Sequence, residues 1–236
     1  MSYDAIFARH RKAALHLSGG KDSVATLYLL RDYADRFTVY HLDTGDEPPE
    51  TKAVLAKCRQ IAPHWVEVQT DVRKWVSLNG FPSDVVPTGS TPLGRMLGFG
   101  KLPISDRFNC CWSNIMWPMQ ERMQKDGVTL IIRGQKLVDM PKVPLKSGAK
   151  VGDIEVLYPL EAWSDQEVLA YLREVGAPIH PVYEILKEGV GCMHCTAWWD
   201  YRLVDWLERA HPQAHAFVVG KKKEIEEAIA EQLVHA

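Results

Sequence analysis

This 236-residue sequence lacks several features that would assign it to a special class of protein. No apolar run is long enough to span a bilayer, and the first residues mix charged and apolar side chains unlike a signal peptide. Internal repeats and low-complexity segments are also missing, and the formal net charge is only −2. The sequence therefore predicts a cytoplasmic protein with no membrane partner, and a nucleic acid would have to be held by a local basic patch.

The composition is that of an ordinary globular protein, with 46% hydrophobic and 25% charged residues. Apolar strand patterns over residues 13–17, 37–42, 65–69 and 129–133 alternate with helical patterns. This alternation predicts an α/β fold with a doubly wound, mainly parallel sheet and helices on both faces. We expect a nucleotide-binding domain over residues 1–200, followed by a C-terminal helical extension over residues 201–236.

Residues 79–107 interrupt the regular pattern with nine glycines and prolines. A loop of this length in a compact domain is usually functional or disordered. The sequence leaves open whether it covers a substrate. After it, Ser164 and Glu167 have the spacing of a capping box and predict the start of a helix.

A glycine-rich turn joins the first strand to the first long helix. Its two glycines let an anion approach the backbone, and the following helix presents free N–H groups. The Walker pattern is absent. We expect the phosphates of a nucleotide to bind here, with Lys21 as a mobile positive charge. The predicted nucleotide-binding residues of the turn are Ser18, Gly19, Gly20, Lys21, Asp22 and Ser23.

This turn resembles the PP-loop of the ATP pyrophosphatase superfamily, which includes the phosphoadenylyl-sulfate (PAPS) and adenylyl-sulfate (APS) reductases. Leu42-Asp43-Thr44-Gly45, with Glu50-Thr51 after it, is similar to a signature of the PAPS/APS reductase family, as is the segment 158–163. The resemblance implies an adenine nucleotide α-hydrolase-like fold. It also implies an adenine nucleotide at the carboxyl ends of the strands, with Asp43 and Gly45 among the residues that bind it.

The arginine loop of that family is half kept as Arg133-Gly134-Gln135-Lys136, with Lys142 after it. These residues are either holders of phosphate or sulfate charge or a solvated basic loop. The candidate catalytic residues are Lys21, Asp22, Arg133 and Lys136, and Gly134 joins the candidates for nucleotide binding.

Four of the five cysteines form two pairs, Cys110-Cys111 and Cys192-x-x-Cys195, separated by 80 residues. Four thiolates suit a zinc ion or a [4Fe–4S] cluster by count, and buried thiols without metal are a third possibility. Adjacent cysteines favour the cluster, because neighbouring residues can bind different irons. The pattern also resembles that of the APS reductases, which carry such a cluster. His194 is expected to be a bystander, and Cys58 a small buried hydrophobic residue.

Three departures from the reductase pattern shape the functional hypothesis. No cysteine follows Cys195, whereas the reductases use a cysteine near the C-terminus as nucleophile. Asn114-Ile115 stands where cluster-bearing reductases have Arg-Lys. The complete Ser-Gly-Gly-x-Asp-Ser turn is typical of true ATP pyrophosphatases. Slow pyrophosphate formation from ATP is therefore expected once the right acceptor is present, without thioredoxin-dependent release of sulfite from APS or PAPS.

The first hypothesis is thus an iron–sulfur enzyme that uses ATP, with Mg²⁺, to activate a substrate for sulfur transfer and releases pyrophosphate. The alternatives are an APS/PAPS reductase-like oxidoreductase and a non-catalytic module that senses nucleotide or redox state. A sulfur donor, a nucleic-acid or small-molecule acceptor and a homo-oligomer are expected partners. The features that suggest nucleic acid are residues 9–12, residues 221–223 and Trp198-Trp199.

Overall fold

The computed structural model describes residues 2–98, 104–139, 146–197 and 201–234. These residues form two compact units, each built from several chain segments. The first unit comprises Met1–Asp43, Pro49–Val68 and Met119–Gly189, and the second comprises Thr44–Pro48, Gln69–Pro118 and Val190–Ala236. Residues 198–200, beside the predicted boundary at residue 200, lie outside the described residues, so that boundary stays a prediction.

A six-stranded sheet in the first unit confirms the predicted fold class. Its strand order is β3-β2-β1-β6-β8-β7, parallel in the β2-β1-β6-β8 pairings and antiparallel between β7 and β8. The chain runs from β1 outward to β2 and β3, and later returns to the other side of β1 to form β6. The strands are β1 Ala13–His16, β2 Thr38–Asp43, β3 Trp65–Gln69, β6 Leu130–Ile132, β7 Lys150–Val151 and β8 Ile154–Leu157.

Helices cover both faces of this sheet. Successive residues of the central strands accordingly belong to two different apolar clusters. Leu15 and Ile132 belong to one cluster, whereas Ala14 and Ile131 belong to the other. Strands buried on both faces need apolar residues throughout, which is why these segments stand out in the sequence. The helices are α1 Tyr3–Ala8, α2 Lys21–Leu29, α3 Pro49–Cys58, α7 Trp117–Lys125 and α8 Asp165–Glu174, with 3₁₀ turns at Arg31–Arg36, Leu137–Asp139 and Pro181–Glu184.

The second unit is mainly helical and contains a small parallel sheet. Its strands, β4 Phe81–Ser83 and β5 Ile104–Asp106, lie inside the region expected to be irregular. The described part of residues 79–107 is therefore partly regular, and residues 99–103 lie outside the description. The unit's helices are α4 Val72–Asn79, α5 Pro92–Met96, α6 Arg107–Cys111, a π-helical turn Trp112–Met116, α9 Tyr201–Ala210 and α10 Pro212–Val234.

The predicted C-terminal helical extension is present as α9 and α10. The capping box is also confirmed, since Ser164 Oγ accepts from the Glu167 N–H and the Glu167 carboxylate accepts from the Ser164 N–H. None of the helices within the described residues combines the length and the apolar character that crossing a membrane requires.

A buried carboxylate in the first unit explains two residues of the predicted basic patch. Glu155 of β8 is 3% exposed and is ion-paired with the Arg9 guanidinium, while His10 Nε2 lies 3.0 Å from Glu155 Oε2. The hydrogen bond from Arg9 lowers the pKa of Glu155, and the His10 contact acts in the same direction. Arg9 and His10 therefore contribute to the fold as partners of the buried Glu155 carboxylate.

We expect Glu155→Gln to lower the free energy of unfolding by about 2 kcal/mol at neutral pH, because a charge-assisted hydrogen-bond pair is lost. The folded-state pKa of Glu155 is depressed, so its contribution is present above the unfolded-state pKa. It is lost as the pH falls through the folded-state pKa. Urea denaturation between about pH 3 and 7 should therefore show a smaller pH dependence in the variant than in the wild type. Glu174→Gln, at an exposed position of α8, is the control, and equal losses in the two variants would contradict this role.

Candidate functional site

The glycine-rich turn lies at the carboxyl end of β1, next to the point where the strand order reverses between β1 and β6. Crevices at such reversal points are where open α/β sheets bind ligands. Gly19 has a φ of +78°, which a side chain would strain, and Gly20 directly precedes α2. The Ser23 hydroxyl accepts from the Ser18 N–H at 3.2 Å and donates to the Gly20 carbonyl at 2.9 Å. The turn is therefore held closed by its own hydroxyls.

The loop after β6 packs directly against this turn. A Cβ atom added to Gly134 would collide with the Asp22 carbonyl oxygen and lie 2.8 Å from the Ser23 backbone nitrogen. Both obstacles are backbone atoms, which cannot move aside as a side chain would. The close approach of the two loops therefore leaves no room for a side chain at position 134.

Two lysines and three aspartates form an ion cluster where these loops meet. Lys21 Nζ lies 2.8 Å from Asp22 Oδ2 and 3.0 Å from Asp165 Oδ1. Lys136 Nζ lies 2.7 Å from Asp22 Oδ1, 3.0 Å from Asp139 Oδ2 and 3.2 Å from Asp165 Oδ1. The cluster joins the segments that follow β1, β6 and β8.

The two lysines differ from what the sequence predicted. We expected a mobile Lys21 and a Lys136 in a phosphate-binding or solvated loop, but their side chains are only 6% and 1% exposed. Burial alone would lower the pKa of Lys136, yet its hydrogen bonds to Asp22 and Asp139 outweigh burial and raise it. The pKa of Lys21 is raised in the same way, chiefly through Asp22. Both side chains are charged and fixed by carboxylates.

Arg133, another candidate catalytic residue, directly follows β6, and its catalytic role stays a prediction. Its Nε donates to His16 Nδ1 at 3.1 Å, so this nitrogen is used inside the first unit. Burial, and secondarily the Arg133 charge, lower the pKa of His16 to about 3. His16 is therefore neutral, as an acceptor for a guanidinium must be.

Tyr183 belongs to the same site, although its position in the sequence gives no sign of it. Its hydroxyl accepts from the Lys21 N–H at 3.0 Å, and its ring lies 5.3 Å from Lys21 Nζ. A Cβ atom on Gly20 or Gly189 would crowd this hydroxyl. The Tyr183 hydroxyl thus accepts the hydrogen bond of the Lys21 N–H, an amide that we expected from the sequence to bind phosphate.

The remaining predicted nucleotide residues are divided between the units. Asp43 ends β2 in the first unit, with its carboxylate 3.8 Å from Lys52 Nζ. Gly45 belongs to the second unit and has a φ of +76°. The structure places Gly134 and Lys136 next to the glycine-rich turn of residues 18–23. A shared role of these residues with Asp43 and Gly45 in nucleotide binding stays a prediction.

The second unit contains a cavity of about 340 Å³ lined by all four paired cysteines. Burial, together with a smaller effect of the neighbouring thiols, raises the pKa of Cys110 and Cys192 to about 12 and that of Cys195 to about 11. Cys58 lies elsewhere, fully buried at the end of α3, as predicted. Apolar side chains complete much of the cavity wall, among them Val72, Val76, Phe81, Pro82, Ile115 and Phe217.

A carboxylate that the sequence analysis missed anchors the Cys192-x-x-Cys195 segment. Asp46 is buried, and its two oxygens accept from the His194 N–H at 2.9 Å and from Arg73 Nε at 3.0 Å. Its backbone carbonyl accepts from the Met193 N–H at 2.8 Å, and its Oδ1 lies 2.7 Å from His194 Nδ1. His194 is therefore engaged with Asp46 beside the thiols.

Asn114 stands at one of the positions where the cluster-bearing reductases have Arg-Lys. Its side-chain amide is buried and donates to the Cys110 carbonyl at 2.9 Å, 3.9 Å from Cys110 Sγ. In the described ranges, no three His, Cys, Asp or Glu side chains are arranged to hold a single metal ion. The predicted metal site therefore stays a prediction.

The other sequence features that suggested nucleic-acid binding are residues 221–223 and Trp198-Trp199. Burial lowers the pKa of Lys222, which lies near Cys195, and Lys221 Nζ lies 2.7 Å from Glu224 Oε1. Only Lys223 of this triplet is largely exposed. Trp198, Trp199 and Lys142 lie outside the described residues.

Comparison with known proteins gives concordant results. The profile of the phosphoadenosine phosphosulfate reductase domain matches residues 12–80 and 111–198, more than half of the chain. The adenosine 5'-phosphosulfate reductase of Allochromatium vinosum is 24% identical over 187 residues, covering 75% of this chain and 65% of that protein. Its namesake from Mycobacterium bovis is 28% identical over 135 residues, covering 56% of this chain and 49% of that protein. This chain thus spans about half to two thirds of the length of these relatives.

A solved structure has the same fold. The phosphoadenylyl-sulfate (PAPS) reductase from Candida auris, crystallised as a phosphate complex, superimposes with a TM-score of 0.57 and 15% sequence identity. The match covers 81% of this chain and 86% of that one. At this identity the likeness concerns the fold alone.

Proposed function

The chain belongs to the phosphoadenosine phosphosulfate reductase domain family, and we propose that it is an enzyme that binds and reduces a sulfonucleotide, APS or PAPS. The observation that carries the proposal is the meeting of two loops at the reversal point of the sheet. There the turn after β1 and the loop after β6 touch at Gly134, with two buried lysines beside them.

This arrangement suits a ligand with a compact, multiply charged group. Amides in the first turn of α2 and the positive end of its dipole attract anions. Lys21 and Lys136 add two ammonium groups whose pKa values are raised, so both stay charged at neutral pH. The phosphate and sulfate of a sulfonucleotide supply the matching negative charges.

The named relatives favour the reductase hypothesis over ATP-dependent sulfur transfer, which the sequence alone had favoured. ATP-dependent sulfur transfer came first there, whereas the curated relatives described above are named APS reductases. In such a reduction, the bond between sulfur and the phosphate oxygen breaks and sulfite and a nucleotide leave. Two electrons come from a dithiol reductant such as thioredoxin.

The cysteine cavity is proposed to hold a [4Fe–4S] cluster through Cys110, Cys111, Cys192 and Cys195. The support is that all four thiols line one cavity and influence each other's pKa. A cluster does not require its four sulfurs to meet at one atom, because each binds a different iron. When bound, it would supply redox-active iron and would offset the cost of burying four thiolates.

A second candidate function is activation of a substrate by ATP with release of pyrophosphate, with Mg²⁺ accompanying the triphosphate. One observation favours it: all six residues of the ATP pyrophosphatase-like turn are present, and its serine hydroxyls close it as described. A sulfur donor and an acceptor would then be required.

Turnover by protein purified without oxygen distinguishes the two functions. The protein is incubated with APS or PAPS plus thioredoxin and its reductase, or with ATP and Mg²⁺, while sulfite and pyrophosphate are measured. We expect sulfite from one sulfonucleotide. Pyrophosphate from ATP without any sulfite would replace the reductase proposal with the second candidate.

A further inference from the structure

The ion cluster at the reversal point has more negative than positive groups. Lys21 and Lys136 contribute two positive charges, and Asp22, Asp139 and Asp165 contribute three negative charges, so the five groups sum to −1. An anionic ligand therefore meets ammonium groups that already have counterions. For the ligand to reach them, a carboxylate must withdraw.

Asp165 is the carboxylate best placed to withdraw. It contacts both ammonium groups, at 3.0 Å from Lys21 Nζ and 3.2 Å from Lys136 Nζ. Its Oδ1 atom, which contacts both lysines, is buried, but the side chain as a whole is 45% exposed, so a rotation of the side chain would bring the carboxylate into water. Asp22, in contrast, is part of the turn itself and less exposed.

The position of Asp165 in the fold supports the same role. It is the first residue of α8, behind the Ser164–Glu167 capping box, and a carboxylate at a helix start is stabilised there without the lysines. Burial would raise the pKa of Asp165, but Lys21 and then Lys136 outweigh burial and lower it. Asp165 is thus an anion while it contacts the two lysines.

We propose that Asp165 is an internal counterion of the ligand site, which the phosphate or sulfate of the ligand must displace from Lys21 and Lys136. This inference rests on the proposed function, because it concerns the same site. The counterion lowers the affinity for every anion, because its contacts with the lysines must be broken, and it leaves the affinity for uncharged ligands unaffected.

The test measures binding of adenosine, AMP, APS and inorganic pyrophosphate by calorimetry to the wild-type chain and Asp165→Asn. We expect Asp165→Asn to bind AMP, APS and pyrophosphate about tenfold more tightly, since a charge-assisted contact no longer has to be broken. Adenosine affinity should not change. A purely structural role of Asp165 would instead weaken all ligands and would not distinguish adenosine from AMP.

Two further variants complete the experiment. Asp139→Asn should give a smaller gain, because Asp139 contacts Lys136 and is 3.0 Å from its Nζ, and it carries the test if Asp165→Asn fails to fold. Asp35→Asn makes the same change in net charge at an exposed position and should have no effect.

Unchanged or weaker AMP and pyrophosphate binding in Asp165→Asn would overturn the inference and leave the proposed function standing. Binding of pyrophosphate but of no nucleotide would count against the proposed function while still deciding the counterion role. If neither the wild type nor any variant binds an anion, both are wrong.

Discussion

Gly134→Ala is expected to weaken APS binding by roughly 10- to 100-fold, corresponding to the about 1–3 kcal/mol that overpacking costs. The added methyl group would collide with the Asp22 carbonyl oxygen and lie 2.8 Å from the Ser23 backbone nitrogen. Since both are backbone atoms at the start of α2, relief requires the two loops to separate. That separation displaces the turn and the lysines that depend on its position.

Calorimetric titration with APS, together with a thermal unfolding scan, measures the effect. Gly220→Ala is the matched control, because a Cβ atom there meets nothing within 4 Å and alanine favours the helix α10. We expect the control to bind APS as the wild type does. Wild-type APS affinity in Gly134→Ala would show that the two loops do not form the binding site.

Alanine in place of any one of Cys110, Cys111, Cys192 or Cys195 is expected to reduce bound iron from about four atoms per chain to less than one. A cubane that loses one of four protein ligands has an exposed iron and disassembles readily. The visible absorbance of anaerobically purified protein should fall in parallel. We expect this loss of bound iron to be the largest effect of any substitution in the cysteine cavity.

Cys58→Ala is the matched control, since Cys58 is fully buried in the other unit and should leave the iron content unchanged. Metal analysis and absorbance of the five variants decide the question. Stoichiometric zinc in colourless anaerobic protein would falsify the cluster assignment, as would full iron content in Cys110→Ala.

The sheet could be predicted from the sequence because its central strands are buried on both faces. Such strands appear as short continuous apolar runs, and residues 65–69 were predicted with the observed bounds of β3. β8 was missed, because Glu155 interrupts its apolar pattern. That glutamate is explained only by Arg9 and His10, which lie 146 and 145 residues away.

The site was predictable in part for a related reason. The turn and the cysteine pairs are local patterns, so spacing alone identifies them. Asp46, Asp165 and Tyr183 take part through contacts over long sequence separations, such as the 162 residues between Lys21 and Tyr183. A single sequence contains no signal for such contacts, and it therefore also misled us about the exposure of Lys21 and Lys136.

The antiparallel edge strand β7 has a consequence for the solubility of the protein. An open sheet edge exposes unpaired N–H and C=O groups that strands of other molecules can recruit, and long apolar edges promote aggregation for this reason. β7 is only two residues long, and both Lys150 and Val151 are exposed. A charged, two-residue edge is too short to template a continuous intermolecular sheet, so this side of the first unit is protected against amyloid-like growth.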